Sequence, residues 1–180
     1  MKTVGYFINT REGLSGEPGF FYDYTLAENG LFIHAVNPLF RATVCFAPAH
    51  VRGLLPLESK VELIHGKIPH RLYDLAVSVV TGESCEHYMS IIWKGEYWLE
   101  YPEQEGAGAG VKYTNLQDTV MDIHSHGSMG AFFSGTDNRD EQGFRLSLVL
   151  GKVDTLEPEY DLRISVYGYF ASVELKEVFE

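Results

Sequence analysis

The sequence predicts a mixed α/β (α+β) protein in which most of the chain forms β-sheet. Short runs of aromatic and β-branched residues alternate with turn-forming pairs such as Asn29-Gly30 and Asn37-Pro38, which is typical of strands joined by tight turns. One stretch has helical spacing instead, and strand-like runs resume after it. With 180 residues, of which 45% are hydrophobic, the chain can bury one main core. We therefore expect a mixed β-sheet flanked by helices.

Residues 1–66 are predicted to form a β-rich N-terminal extension, and residues 67–180 the main domain. Glycine and proline residues separate the runs of the extension and are treated as turn formers. The predicted strands of the extension cover residues 4–8, 20–26, 31–36, 42–46 and 61–64.

The main domain is predicted to begin with an amphipathic helix over residues 69–81. Its apolar residues recur at helical spacing, Pro69 fits a first helical turn, and Gly82 fits a helix end. A hairpin is expected next, with strands over 86–93 and 96–101, followed by a flexible loop over the glycine-rich residues 105–110.

The remaining sequence completes the predicted sheet. An apolar run over residues 119–123 predicts a strand that delivers His124 and His126 at its end, and a helix is expected to begin near Ser134 or Thr136. Further strands are predicted over residues 145–153, 162–170 and 173–179.

Charge and cysteine content limit the function classes. The formal net charge of −11 opposes binding to nucleic acid or to an anionic membrane, since both attract clustered cations. Cys45 and Cys85 are the only cysteines and form no metal-binding pattern, which indicates reduced thiols. The start of the chain lacks the apolar segment of a signal peptide. We expect a cytoplasmic protein that binds neither nucleic acid nor membrane.

A candidate metal site follows from the spacing of two histidines and one aspartate. Alternate residues of a strand point the same way, so His124 and His126 can face one ion while Ser125 faces elsewhere. Asp137 can complete the set from the first turn of the following helix. Two imidazoles and a carboxylate suit Zn²⁺ and leave a fourth position for water, as in zinc hydrolases.

Each half of this pattern also has a purely structural interpretation. A His-x-His pair is often structural, and Ser134-x-x-Asp137 is also the spacing of a helix capping box. The two patterns in tandem, behind an apolar strand, favour the metal site.

The whole pattern resembles the JAMM signature of the MPN+ zinc metalloproteases, which include bacterial JAB domains. It consists of His124-Ser-His126, seven residues, Ser134, two residues and Asp137. The flanking sequence 131–137, with Asp140 and Glu141, is similar to the bacterial branch called PRTRC system protein A, and the resemblance covers about residues 67–180. It implies the JAMM/MPN fold, a cytidine deaminase-like mixed sheet flanked by helices.

The resemblance also implies a role for each site residue. His124, His126 and Asp137 would bind zinc, and Ser134 would hydrogen-bond the oxyanion formed during hydrolysis. The family uses a glutamate soon after the first helix as general base, which points to Glu86, with Glu83 as the reserve. Glu86 leads into His87-Tyr88-Met89 rather than into the glycine-containing apolar run frequent in the family.

The activity implied by the resemblance is that of a zinc peptidase or isopeptidase. It would cut the amide bond after the C-terminal glycine of a ubiquitin-like protein, either in a precursor or in a conjugate, and an associated activating enzyme is a further implied partner. Two alternatives stay open: a non-catalytic MPN scaffold, and a metal-dependent hydrolase of a small-molecule amide.

Overall fold

Two six-stranded sheets make up most of the molecule. The computed structural model of the chain describes residues 2–83, 85–102, 105–107, 110–112 and 118–180. The first sheet has antiparallel neighbours throughout except for its first and third strands, which run parallel. Its strands, in chain order, are β1 (Val4–Thr10), β2 (Gly13–Glu17), β3 (Tyr22–Ala27), β4 (Gly30–Val36), β5 (Phe40–Pro48) and β6 (Lys60–Leu63).

The second sheet and the helices lie in the remainder of the chain. The strands of this sheet are β7 (Tyr88–Trp93), β8 (Tyr97–Glu100), β11 (Thr119–Ser125), β12 (Phe144–Gly151), β13 (Glu159–Val166) and β14 (Tyr169–Ser172). Their spatial order is β14-β13-β12-β11-β7-β8, and β11 runs parallel to β12 but antiparallel to β7. The other elements are α1 (Arg71–Val80), β9 (Glu105–Ala107), β10 (Gly110–Lys112), α2 (Gly135–Asp140) and α3 (Leu175–Val178).

The two sides of the second sheet differ in chemistry because successive strand residues point in opposite directions. One side carries aliphatic residues such as Ile123, Leu148 and Ile164, which are fully buried in the hydrophobic core. The opposite side, called the polar side below, carries buried polar groups in its centre. The polar residues in the centre of this side on β11, β12 and β13 include Asp122, His124, Arg145, Ser147, Arg163 and Ser165.

One hydrophobic core joins the two sheets. Residues of the first sheet such as Ile33 and Phe40 belong to the same buried cluster as Leu148 of the second sheet. At the edge of this contact the hydroxyl groups of Tyr24 and Tyr169 are 2.9 Å apart. The predicted boundary at residues 66–67 falls between β6 and α1, and the division into an extension and a main domain stays a prediction.

The first helix agrees with its predicted pattern. Helix α1 spans Arg71–Val80, within the predicted 69–81, and buries Leu72, Ala76 and Val80 at four-residue spacing. Gly82 follows the helix with a φ of 82°, a conformation that favours glycine. In the described parts of the chain, no helix has both the length and the hydropathy required to cross a membrane.

Four details of the secondary structure differ from the sequence predictions. The predicted strand over 162–170 is a hairpin of β13 and β14, which turns at Tyr167-Gly168 where both residues have positive φ. The predicted strand over 173–179 is wrong, because α3 forms there behind a capping box of Glu174 and Glu177. Strand β2 lies where only turns were expected, and β9 and β10 pair within and just beyond the predicted loop over 105–110.

The helices are also fewer than a sheet flanked by helices suggests. Among the described residues, α1 has 10 residues, α2 has 6 and α3 has 4. The fold is therefore a mixed α+β structure dominated by its two sheets, and α2 is the helix that matters for the candidate site.

Candidate metal centre

The end of β11 holds His124 and brings His126 close to it. The backbone N–H of His126 donates to the carbonyl of Leu150 at 2.8 Å, so β12 holds the chain one residue beyond the strand. On the other side, the N–H of Ser125 donates to the carbonyl of His87 at 2.9 Å. The two imidazole rings lie with centroids 5.1 Å apart, as the i, i+2 spacing predicts.

The surroundings of His126 fix its tautomer. Its Nδ1 lies 3.3 Å from the carbonyl oxygen of Gly130. A carbonyl oxygen can only accept, so Nδ1 carries a proton, and the tautomer of the neutral ring is the one with its lone pair on Nε2. Metal-binding histidines in proteins are commonly oriented by such a bond to a backbone carbonyl.

The Nε2 atom of His124 is buried and has no hydrogen-bond partner among the described residues. Burial lowers the pKa of His124 to about 4; the carboxylate of Asp137 opposes the shift, and the neighbouring cationic groups add to it. The ring is therefore neutral near pH 7 and keeps the lone pair that a metal ion requires. A buried polar atom without a hydrogen-bond partner is costly, and a metal ligand role would satisfy this nitrogen.

The two carboxylate oxygens of Asp137 have different neighbours, one in the helix cap and one at the histidine pair. Its Oδ2 accepts the backbone N–H of Ser134 at 2.5 Å, while its Oδ1 lies 3.7 Å from His124 Nε2. Burial raises the pKa of Asp137, but hydrogen bonds from Ser134 and the nearby imidazoles outweigh it, so the pKa lies below its ordinary value. The carboxylate is therefore charged at neutral pH and suits a cation.

These three residues fit a divalent zinc ion. One candidate ligand atom from each of His124, His126 and Asp137 lies within 4.8 Å of the other two. Zinc–ligand distances of about 2.1 Å in a tetrahedron correspond to ligand separations of roughly 3.4 Å. The separation of 3.7 Å between His124 and Asp137 is already close to this value. The other separations between ligand atoms are at most 4.8 Å, so the three side chains would have to move slightly closer together to bind the ion. Three protein ligands would leave one coordination position open.

Ser134 occupies the N-cap of α2, beside the three candidate ligands. Its Oγ accepts the backbone N–H groups of Thr136 at 3.2 Å and of Asp137 at 3.3 Å. Neither bond uses the hydroxyl proton. Both interpretations of Ser134-x-x-Asp137 therefore apply to the same atoms: the capping box is formed, and it also orients the carboxylate toward His124.

The two candidate bases, Glu83 and Glu86, both precede β7, which begins at Tyr88. Tyr88 pairs with His124, and the N–H of Ser125 donates to the carbonyl of His87, so half-buried Glu86 directly precedes the segment that pairs with the end of β11. Glu86 lies two residues before Tyr88, whose hydroxyl donates to Asp122 on the polar side.

Glu83 has different surroundings. It is exposed, and its carboxylate lies 3.7 Å from Nε2 of His87. Glu86 is the more buried of the two, and the identity of the base stays a prediction.

Sequence analysis missed a group of residues that supports α2. Glu141 is 8% exposed, and its carboxylate accepts from the guanidinium of Arg163 at 2.8 Å. Phe132 and Phe133 lie against the imidazoles, with centroids 4.8 Å from His126 and 6.2 Å from His124 respectively. Arg163 is distant in sequence from Asp137. The one sequence signal that pointed to it is a charged residue within an otherwise apolar stretch of β13.

The comparison with known families agrees with this geometry. Residues 87–164 match a family model described as prokaryotic homologs of the JAB domain. The predicted resemblance to bacterial JAB domains is thereby confirmed for this region, which contains all three candidate ligands and Ser134. No curated protein matches the chain in a sequence comparison.

The region that matches the JAB family contains the three candidate ligands and Ser134, but not Glu86. It begins one residue after Glu86 and ends one residue after Arg163. It thus includes the second sheet from β7 to most of β13, together with α2. The first sheet and α1 lie outside the JAB match.

Proposed function

We propose that this protein is a zinc-dependent peptidase or isopeptidase of the JAMM type. The observation that carries the proposal is the convergence of His124, His126 and Asp137 at the buried Nε2 of His124, which has no hydrogen-bond partner in the described parts of the chain. The match of this region to JAB domains supports it, since a metal centre in these positions is what the JAMM signature implies. The closer likeness to PRTRC system protein A, which rests on the sequence 131–137 with Asp140 and Glu141, belongs to the proposal.

Each residue of the site has a defined task in this proposal. A bound zinc ion would lower the pKa of water toward ~7 and polarise the substrate carbonyl. Glu86 accepts a proton from the attacking water and returns it to the leaving amine. The hydroxyl of Ser134 donates to the carbonyl oxygen as it becomes negative, a bond typically worth about 3 kcal/mol in the transition state.

The position of Ser134 is consistent with that task. Its Oγ is held by two backbone amides of the first turn of α2, so the hydroxyl cannot move away without losing the cap. The same turn carries Asp137, which fixes the distance between the hydroxyl and the ligand set. Catalytic donors act best when they are held in place before the reaction.

The substrate we propose is a ubiquitin-like protein cut after its C-terminal glycine, as precursor or conjugate. An extended tail can add to an exposed sheet edge by β-augmentation. Strand β8 is an outer strand of the second sheet, separated from β11 only by β7, and its end at Glu100 pairs with Ser90. An activating enzyme for the same modifier is the partner that such a protease implies.

A cleavage assay tests this function directly. Protein purified without chelator is analysed for zinc and incubated with linear fusions of candidate ubiquitin-like proteins, with and without o-phenanthroline, and products are identified by mass spectrometry. We expect about one zinc per chain, cleavage after the terminal glycine, and loss of cleavage with the chelator.

Other outcomes separate the alternatives. A chain that binds no metal and cuts no fusion would support the non-catalytic scaffold and overturn the proposal. A zinc protein that hydrolyses small amides but no fusion would indicate the small-molecule hydrolase. His126→Ala is the matched loss of a ligand, and His50→Ala, at a histidine paired with Glu28 at 2.6 Å, is the control.

A further inference from the structure

Arg163 connects β13 to the helix that carries Asp137. Its side chain lies on the polar side of the second sheet and is almost completely buried. Its Nε and Nη2 donate to Glu141 Oε2 at 3.1 Å and 2.8 Å, and its Nη1 donates to Asn138 Oδ1 at 2.5 Å. Charge-assisted bonds of this kind are stronger and more directional than neutral ones.

The same guanidinium also touches the segment before α2. It lies 3.6 Å from the ring centroid of Phe133 and 4.2 Å from that of Phe170. Stacking of arginine on aromatic rings is favourable, the more so when it is shielded from water. Because Phe133 directly precedes the N-cap Ser134 and packs near His124, Arg163 contacts the chain on both sides of Asp137.

Helix α2 depends on such contacts for its position. It has six residues, and none of them is buried. A helix of this length is unstable by itself, so tertiary contacts must hold it. Its N-terminus is held by the capping box, and its C-terminus by Arg163 together with Ser165, whose hydroxyl donates to the carbonyl of Glu141 at 2.5 Å.

The connection from Arg163 to Asp137 is short. The backbone N–H of Glu141 donates to the carbonyl of Asp137 at 2.9 Å, so one helical turn separates the anchored carboxylate from the candidate ligand. Asn138 is the next residue after Asp137. A shift of Glu141 or Asn138 therefore moves Asp137 relative to the imidazoles on β11.

We propose that Arg163 is a positioning residue for the metal centre, which fixes α2 through Glu141 and Asn138 and thereby holds Asp137 beside His124. This inference rests on the proposed function only in naming zinc as the ion. Its structural part, the anchoring of α2 by a residue of β13, applies to the metal-free protein as well.

A purely structural role of Arg163 has to be separated from this one. Arg145 provides the control, since it also lies on the polar side and pairs with a carboxylate of β11, Asp122, at 3.1 Å. Among the described residues its ion pair does not involve α2. Loss of Arg145 should lower the free energy of unfolding without moving Asp137.

The experiment uses the full chain and four variants: Arg163→Met, Arg163→Lys, Glu141→Gln and Arg145→Met. Glu141→Gln keeps the shape of the side chain and remains informative if Arg163→Met fails to fold. Hydrogen–deuterium exchange of the α2 amides is measured in metal-free protein. Zinc affinity is measured in the folded variants by competition with a chelator of known affinity.

We expect Arg163→Met and Glu141→Gln to exchange their α2 amides faster and to bind zinc about 10 to 100 times more weakly, the range typical for residues that orient metal ligands. Arg163→Lys should fall between them and the unaltered protein, because lysine keeps the charge but not the fork of donors. Arg145→Met should leave both measurements within about threefold of the unaltered protein.

Two results would overturn the inference. One is unchanged α2 exchange in both Glu141→Gln and a folded Arg163 variant. The other is a loss of zinc affinity as large in Arg145→Met as in Glu141→Gln. If the unaltered protein binds no zinc while α2 exchange still responds to Glu141→Gln, the proposed function fails but the anchoring of α2 stands.

Discussion

The carboxylate of Asp137 lies 3.7 Å from Nε2 of His124 through one oxygen and accepts the N–H of Ser134 through the other. The capping box thus aims the free oxygen at the histidine pair before any ion is present. A site arranged in this way loses little conformational freedom on binding a cation, which favours affinity.

Asp137→Asn should abolish tight zinc binding while α2 remains folded. The amide oxygen can still accept from Ser134, but the negative charge next to two imidazoles is lost. We expect zinc affinity to fall by about 100-fold or more in a chelator competition, in line with the loss of a charged ligand. The exposed Asp140, on the same helix, gives the control Asp140→Asn, for which zinc affinity should not change.

Glu86→Gln should retain zinc and lose turnover. Glutamine has nearly the same shape but cannot take a proton from water, and general bases contribute about 10²–10⁴-fold to rate. Zinc content and the rate of fusion cleavage are the two measurements. Glu83→Gln, beside His87, is the matched control and should remain active; the reverse pattern would show that the base has been misassigned.

Ser134→Ala should affect both stability and turnover, to different extents. Loss of the N-cap oxygen costs about 1 kcal/mol in free energy of unfolding, as found for helix caps generally. Loss of the hydroxyl donor should lower kcat by about 10²–10³-fold. Ser134→Thr keeps a capping oxygen and a hydroxyl and should largely restore both, whereas equal kcat values for Ser134→Ala and the unaltered protein would exclude the oxyanion role.

The metal-free protein should lose stability between pH 6.5 and about 4. The folded pKa of His124 is about 4, below the ordinary 6.5, so within this range the unfolded chain binds a proton that the folded chain does not. Above this window the ring is neutral in both states, and below it the ring is protonated in both. Urea midpoints measured across this range in EDTA should fall less for His124→Asn, while His50→Asn should behave as the unaltered protein does.

Zinc should stabilise the folded chain. An ion that binds only the folded state, at a free concentration 100 times its Kd, raises the free energy of unfolding by about 2.7 kcal/mol. Thermal unfolding with and without zinc measures the effect. His126→Ala should lose the response together with activity, and a response that survives in His126→Ala would place the ion elsewhere.

Local patterns in the sequence predicted the site residues and most elements near them. Strand alternation put His124 and His126 together, and the Ser134-x-x-Asp137 spacing produced the expected capping box. The helix expected over 69–81 is present because its apolar spacing is strong over three turns. Such signals involve residues within a few positions of each other, so they are readable without the fold.

Predictions failed where long-range contacts decide the conformation. Residues 173–179 were expected as a strand, yet α3 forms within them, and Phe179 after it makes an isolated parallel bridge with Ile68. Apolar alternation over 173–179 could not separate these outcomes, since a single helical turn and a short strand bury similar residues.

The sequence by itself determined which residues can hold an ion, because two imidazoles at i, i+2 and a capped aspartate are set by backbone periodicity. Only the tertiary structure decided how these ligands are held. The buried pair of Arg163 and Glu141, the bond from Tyr88 to Asp122 and the core shared by both sheets join residues far apart in the chain. Contacts of this kind depend on which strands become neighbours, and that order is fixed by the packing of the whole chain rather than by any local pattern.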